Sequence, residues 1–364
     1  MLSRILFPTL FLLLASNADA KAAQKLNTRL DGYLQTLAQE GFTGVVLVAQ
    51  DGEIVFENAY GMAHREKKTP VTTDMVFTTG SITKQFTAAA ILQLETGKRL
   101  SVDAPITKYF EGVPADKQGI TLHHLLTHSA GFPGGIGRDP EPIGRDDYVR
   151  KAFKTKLDFA PGERYEYSNV GYSLLAAIIE KVTGSSYEQY LRDNLFLPAG
   201  MKETGYVLTD WPDERLAHGY RDDKYWGTVP DRVFSDNGPG WNLVGNGGIH
   251  STARDMYRWH QALLGDAILS AAAKEKMYTR HVDEGGGSWY GYGWVILPTS
   301  RGTRLITHNG GNMVFFADFL RFLDDDIVIY LASSAGGRQR EDAAYVLARM
   351  IIDPSYKPKI GNGD

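Results

Sequence analysis

The sequence predicts an α+β fold: one central antiparallel sheet assembled from both chain ends, with a helical subdomain inserted between its halves. Three observations predict it. Residues 42–60 carry two β-patterned runs joined by Asp51-Gly52, the last third returns to strand patterns from Tyr290 to Ser333, and the stretch between is helical and loop-rich. A cleft is expected where sheet and insert meet, because ligand sites favour such junctions.

The elements follow in order. Residues 21–40 place Leu26, Leu30, Tyr33, Leu34 and Leu37 at helical spacing. Residues 42–50 alternate as a strand, Asp51-Gly52 is a type I′ hairpin signal, and residues 53–60 return. Helices are expected over 83–95, closed by Gly97; over 122–127, ended by Gly131-Phe132-Pro133; over 172–182, closed by Gly184; and over 253–264. Residues 131–144 and 231–248 are rich in Gly, Pro and Asp and read as loops. Strands over 290–297, 304–308, 313–322 and 327–333 come next, with Asp324-Asp325-Asp326 as a turn, and a helix over 341–352 closes the chain. The expected division is a leader at 1–20 and one unit over 21–364. Its sheet part covers about 21–64 plus 285–364, and its helical part about 65–284.

Composition narrows the function. The chain has 364 residues, 43% hydrophobic and 23% charged, with a net charge of −4, which favours neither nucleic acid nor an anionic membrane surface. Arg4, the apolar run 5–15 and Ala18-Asp19-Ala20 read as a secretory leader cleaved after Ala20. The run is shorter than the ~20 residues a membrane span needs. A periplasmic or extracellular protein with no stable membrane anchor is therefore expected. Cysteine is absent, which removes disulfides, a lipoprotein anchor and any thiol nucleophile. The oligomeric state stays open.

Several chemistries find no motif: the chain contains no G-x-S-x-G, no Walker A and no H-E-x-x-H. His123, His124 and His128 cluster, the last two at i,i+4 spacing on the expected helix, but no further ligand stands nearby, so packing is the expectation and no metal or cofactor is assigned. Ser81-Ile82-Thr83-Lys84 is different. Thr78, Thr79 and Gly80 precede an Ala-rich run, so Ser81 falls in the first turn of a helix with Lys84 on the same face. The uncapped N–H groups and positive end of such a helix suit an oxyanion. A serine hydroxyl needs a base, and lysine serves only if its pKa falls from about 10.4 toward neutrality, a change near 4 kcal/mol. The ordinary alternative is a helix cap followed by a surface lysine. Tyr167-Ser168-Asn169 is the second element: a phenol can relay a proton and an amide can hold a carbonyl or a lysine, while Ser168 or Asn169 equally suits an N-cap. His308-Asn309-Gly310-Gly311 is the third. It ends a strand whose glycines permit close backbone approach, or is an ordinary strand-to-turn.

In this order, S-x-x-K, Y-x-N and H/K-x-G, the three elements resemble the penicillin-recognising serine hydrolases. The likeness is strongest to the class C β-lactamase and D,D-peptidase branch, with its esterases and D-aminopeptidases. The phrases around Leu125 to Gly131, Tyr167 to Gly184 and Gly247 to Thr252 are similar to that branch, and the likeness spans nearly all of residues 30–350. The resemblance implies a β-lactamase/transpeptidase-like fold and assigns roles by position. Ser81 would be the acylated nucleophile, Lys84 its base, and Tyr167 a base or relay for deacylation. Asn169 would orient the acyl-side amide, and His308 would stand where class C β-lactamases carry lysine. The N–H groups of Ser81 and Gly311 would form the oxyanion hole, beside Gly310. Two departures shift the expected substrate toward esters, D-amino-acid amides or D,D-peptides rather than β-lactams. One is His308 itself. The other is the loop Gly131-Phe132-Pro133-Gly134-Gly135, which lacks an amide side chain and offers small, mobile residues. A small-molecule or peptide substrate is expected. The competing reading is a catalytically weak penicillin- or peptidoglycan-fragment-binding protein. Its expected mark, loss of Ser, Lys or Tyr, is absent.

Overall fold

The computed structural model describes residues 17–221, 224–335 and 342–358; the apolar run 5–15 and Glu341 lie outside them. One antiparallel sheet holds eight strands: β1 (Gly44–Gln50), β2 (Glu53–Tyr60), β3 (Val282–Gly285), β4 (Ser288–Tyr290), β5 (Val295–Pro298), β6 (Arg304–Asn312), β7 (Phe315–Phe322) and β8 (Ile327–Ser333). Their spatial order is β3-β4-β5-β6-β7-β8-β1-β2, so the N-terminal hairpin adds onto the last strand, with Gly44 opposite Ser333 and Gln50 opposite Ile327. Asp51 and Gly52 take φ of 53° and 74°, the pair of positive values that a type I′ turn requires.

Helices α1 (Asn17–Gln39) and α10 (Ala343–Ile352) cover one face of the sheet. Between β2 and β3 run α2 (Thr83–Thr96), α3 (Leu122–Leu126), α4 (Arg145–Lys154), α5 (Asn169–Thr183), α6 (Tyr187–Leu191), α7 (Val229–Val233), α8 (Ala253–Leu264) and α9 (Ala271–Met277). Val46, Val48, Leu320, Ile329 and Leu331 pack under Leu30, Leu34 and Leu347. Val45, Leu47, Ile306, Phe319 and Tyr330 belong to the larger core shared with Phe86, Ile91 and Trp259 of the insert. The sheet is thus sandwiched, which explains one departure from expectation. Every β1 residue except Gln50 is buried, so the run GVVLVA is apolar on both faces rather than alternating.

Other boundaries move for local reasons. Residues 290–297 split into β4 and β5 around Gly293, whose φ of 76° turns the chain. β6 continues through Gly310 and Gly311 to Asn312, and Met313 (φ 58°) sits in the turn, so β7 begins at Phe315. α5 starts three residues before Tyr172, at Asn169. Residues 231–248 are not all loop: α7 reaches Val233, and Phe234–Ser235 pairs with Gly238–Pro239. β3 escapes the pattern because its second half is Glu284-Gly285, with no alternation to read. No helix among the described residues is long and apolar enough to cross a membrane.

Candidate active site

The chain enters the site along Phe77–Thr78, which pairs with His250–Ser251, and then makes a 3₁₀ turn over Gly80–Ile82 before α2. Ser81 sits in that turn. Thr79 makes no side-chain cap there, because its hydroxyl donates instead to the Ile249 carbonyl at 2.9 Å. The Gly80 N–H donates to Thr78 Oγ1 at 3.4 Å, while the Ser81 amide receives no cap from Thr79. Lys84, one turn on, is fully buried. Its Nζ lies 2.8 Å from Asn169 Oδ1, 2.6 Å from the Asn246 carbonyl oxygen and 3.1 Å from Ser81 Oγ. Burial pushes its pKa well below the ordinary lysine value, and the Asp139 carboxylate only partly opposes this. A neutral amine has two N–H donors and one lone pair. The two acceptors take the donors, which leaves the lone pair toward Ser81.

Tyr167 stands beside this pair, with Lys84 Nζ 4.8 Å from its ring centre. Burial raises its pKa; a hydrogen bond with Ser81 works the other way and the Glu284 charge adds to the rise. The phenol therefore holds its proton. Its neighbour Asn169 opens α5, and Ser168 at the N-cap spends its hydroxyl on the Pro133 carbonyl at 2.7 Å. His128 completes the support. It does not share a helix face with His124, because it follows the end of α3 in a left-handed conformation (φ 57°). From there its ring lies 4.2 Å from that of Tyr167, and its Nδ1 accepts the Ser168 N–H at 3.1 Å. Nothing in the three-histidine cluster signalled that role, since it depends on the turn after the helix. The other members point elsewhere: His123 Nδ1 is 2.8 Å from the Tyr292 hydroxyl, and His124 Nδ1 accepts the Thr121 N–H at 3.2 Å.

β6 forms the opposite wall. Its pairing with β5 ends at Thr307, and beyond that residue only β7 pairs with it. The open edge meets the nucleophile turn at very short range. A Cβ on Gly310 would fall 2.5 Å from the Ser81 nitrogen, and one on Gly80, at φ 53°, 2.6 Å from the Gly311 nitrogen. Glycine at both places lets the two backbones touch, bringing the amides of Ser81 and Gly311 together. His308 is adjacent but turned aside. Its Nδ1 is 2.5 Å from the Asn309 carbonyl, which can only accept, so Nδ1 carries the proton and Nε2 accepts from the Tyr290 hydroxyl at 2.9 Å. Burial, with Lys84 nearby, lowers its pKa to about 3. It brings no positive charge to the cleft.

The structure thus brings Ser81, Lys84, Tyr167 and Asn169 into contact and sets Gly310 and Gly311 against them, while His308 binds Tyr290. Sequence reasoning missed Tyr290, His128 and Asn246. Asn246 contributes a backbone carbonyl, for which no residue type is diagnostic, and its side chain is used to donate to Ser173 Oγ and the Asn242 carbonyl, both at 2.8 Å. The glycine loop is more tethered than its composition suggests. The Gly131 carbonyl accepts the Asp158 N–H at 2.8 Å and the Gly134 carbonyl the Asn169 N–H at 2.9 Å. Among the described residues no three His, Cys, Asp or Glu side chains are placed to hold a metal ion.

Buried neutral histidines make stability pH-dependent. Burial lowers His308 to about 3 and His250 to about 4. Unfolded, both titrate near 6.5, so between that value and their folded values the unfolded chain binds more protons and stability falls as pH falls. Each should withdraw roughly 2 kcal/mol by pH 5. Urea midpoints should therefore drop clearly between pH 7.5 and pH 5. A flat profile would show that these rings are protonated in the folded state.

A family model described as Beta-lactamase matches residues 26–349. Penicillin-binding protein 4* of Bacillus subtilis (strain 168) is 32% identical over 347 residues, covering 90% of this chain and 76% of that protein. Esterase EstB of Burkholderia gladioli is 29% identical over 331 residues, covering 77% of this chain and 83% of the esterase. Among solved structures, the D-amino acid amidase from Ochrobactrum anthropi SV3 superposes with a TM-score of 0.75 at 25% identity, over 90% of this chain and 96% of that one.

Proposed function

The chain belongs to the Beta-lactamase family of serine hydrolases, with its β-lactamase/transpeptidase-like fold, and from that premise we propose that it is a secreted ester or amide hydrolase that works through a Ser81 acyl-enzyme. One observation carries the proposal: the buried Lys84 amine is held by two carbonyl acceptors so that its remaining valence faces Ser81 Oγ at 3.1 Å.

The steps follow from the groups in place. Neutral Lys84 takes the Ser81 hydroxyl proton as Oγ bonds to the substrate carbonyl carbon. The oxygen, now negative, is received by the N–H groups of Ser81 and Gly311, each donor worth about 10² to 10³ in rate. Collapse breaks the bond to the leaving group, which takes the proton from Lys84 through the Tyr167 hydroxyl. Water then enters along the reverse path and releases the acid. Tyr167 acts as relay rather than base, since its raised pKa keeps it protonated. Asn169 serves twice: it holds Lys84 and presents its amide to the acyl side. His308 orients the β6 edge through Tyr290 rather than binding a carboxylate. The mature chain would begin at Lys21, outside the cytoplasm.

Neutral His308 favours esters over β-lactams, and the esterase and D-amino acid amidase among its relatives are in keeping with that choice. The test treats one preparation with a fluorophosphonate and with penicillin, then compares turnover of p-nitrophenyl butyrate and nitrocefin. The adduct should map to the Ser81 peptide and the ester should be the better substrate. Label on another residue sinks the mechanism. A nitrocefin advantage above about tenfold, roughly 1.4 kcal/mol, makes β-lactam hydrolysis the better description. A stable penicillin adduct with no turnover of either compound points to a binding protein.

A further inference from the structure

Beside the cleft lies a cavity of about 800 Å³, walled by Trp226 and Tyr225 and ending at the exposed Met313 of the β6–β7 turn. Four cations line it: Arg138, Arg221, Lys224 and Arg232. None of the four makes an ion pair with a carboxylate of the described residues, and Arg232 Nε donates to the Trp226 carbonyl at 2.5 Å. The one acid in the lining, Asp139, is occupied elsewhere. Its Oδ2 accepts from Asn312 Nδ2 at 3.3 Å, and the charge acting on it is that of Lys84. Asn312 Oδ1 in turn accepts from Thr78 Oγ1 at 3.1 Å, so one layer of side chains separates this cavity from the nucleophile turn. Asp222 and Asp223, between Arg221 and Lys224 in sequence, lie outside the described residues.

Guanidinium groups that no described carboxylate neutralises, in a concave, aromatic-walled site, are suited to carboxylate or phosphate, which they grip with two parallel hydrogen bonds. The volume matches a small-molecule site. Position along β6 assigns the part of the substrate concerned. If the leaving group lies toward Tyr167, as the proposed proton relay requires, the Asn312–Met313 direction is left for the acyl chain. We propose that this basic cavity receives a carboxylate or phosphate at the end of the substrate's acyl chain, making the enzyme selective for anionic acyl esters. The proposal rests on Ser81 being the acylated residue.

The test compares kcat/KM for p-nitrophenyl hemiglutarate and p-nitrophenyl butyrate. The anionic ester should be preferred at least about tenfold at low salt, and the preference should shrink as salt screens the guanidinium groups. Arg138→Gln/Arg221→Gln should lower the ratio at least about fivefold, whereas Lys154→Gln, an exposed change outside the cavity, should not. Glutarate and inorganic phosphate, added separately, should raise the Tm of wild type and not of the double variant, and the larger shift identifies the preferred anion. Equal ratios in wild type and double variant, with no Tm shift from either anion, overturn the proposal while leaving Ser81 chemistry intact. Failure of the Ser81 reading is distinct: neither ester turns over and no label reaches Ser81, while the Tm shifts still decide whether the cavity binds anions.

Discussion

Lys84→Arg should lower kcat for p-nitrophenyl butyrate by at least about 10², the scale of general-base catalysis. The expectation comes from where Lys84 is rather than from its charge. At this fully buried position desolvation favours the neutral amine, whose lone pair alone faces Ser81. Arginine offers no lone pair at any working pH, because its guanidinium does not deprotonate. It would also carry an obligatory charge into a site where the carboxylate acting on this position, Asp139, is shared with Asn312. The pH profile separates this from simple misfolding. Wild type should gain rate with rising pH through a pKa below the usual lysine value, and the variant should lack that limb even if its Tm is normal. Near-wild-type turnover in Lys84→Arg would make Lys84 a structural cation and leave Tyr167 to act alone.

Gly310→Ala should lower kcat/KM by about 10² to 10³, the loss expected when one oxyanion donor is displaced. The added methyl would sit 2.5 Å from the Ser81 nitrogen and 2.9 Å from the Gly80 carbonyl carbon, and closer still to the Thr79 carbonyl oxygen. All three are backbone atoms with no side-chain freedom to yield, so β6 and the nucleophile turn must part. Overpacking of this kind costs about 1–3 kcal/mol in stability as well, readable as a lower urea midpoint. Gly311→Ala is the internal control. Its Cβ would meet only the Phe315 carbonyl oxygen at 3.7 Å, an ordinary contact, and its N–H would remain. The two alanines should therefore differ at least about tenfold in kcat/KM. Equal effects would mean that close approach at Gly310 is not what aligns the site.

Much of the architecture was legible because it rests on local chemistry. Asp51-Gly52 announces a turn with two positive φ values, and Gly184 ends α5 at φ 76° as a helix terminator does. What escaped is relational. β1 reads as half-buried until α1 and the insert are both laid on it. The sequence pattern ends β6 at His308 because glycine weakens a strand pattern, yet those glycines are what let the strand run on against the Gly80 turn. In the site, the spacing of Ser81 and Lys84 was readable because it is set within one helical turn. The partners that tune Lys84 were less so. Asn169 stood out as an amide, but the Asn246 carbonyl is backbone, and His308 gave its identity without its direction. Its ring turns to Tyr290, a partner fixed by the β4–β5–β6 arrangement rather than by any nearby residue.

The pairing of Gly44 with Ser333 has a consequence for how the molecule is made. β1 and β2 emerge first from the ribosome, but the strand that flanks β1 is the last one synthesised. Until β8 arrives, β1 offers an unpaired apolar edge, and the cover that α10 provides does not yet exist. The sheet therefore cannot close before β8 has been made. If the chain is exported as proposed, late closure is an advantage: the topology that delays the native state would keep the chain unfolded for passage across a membrane.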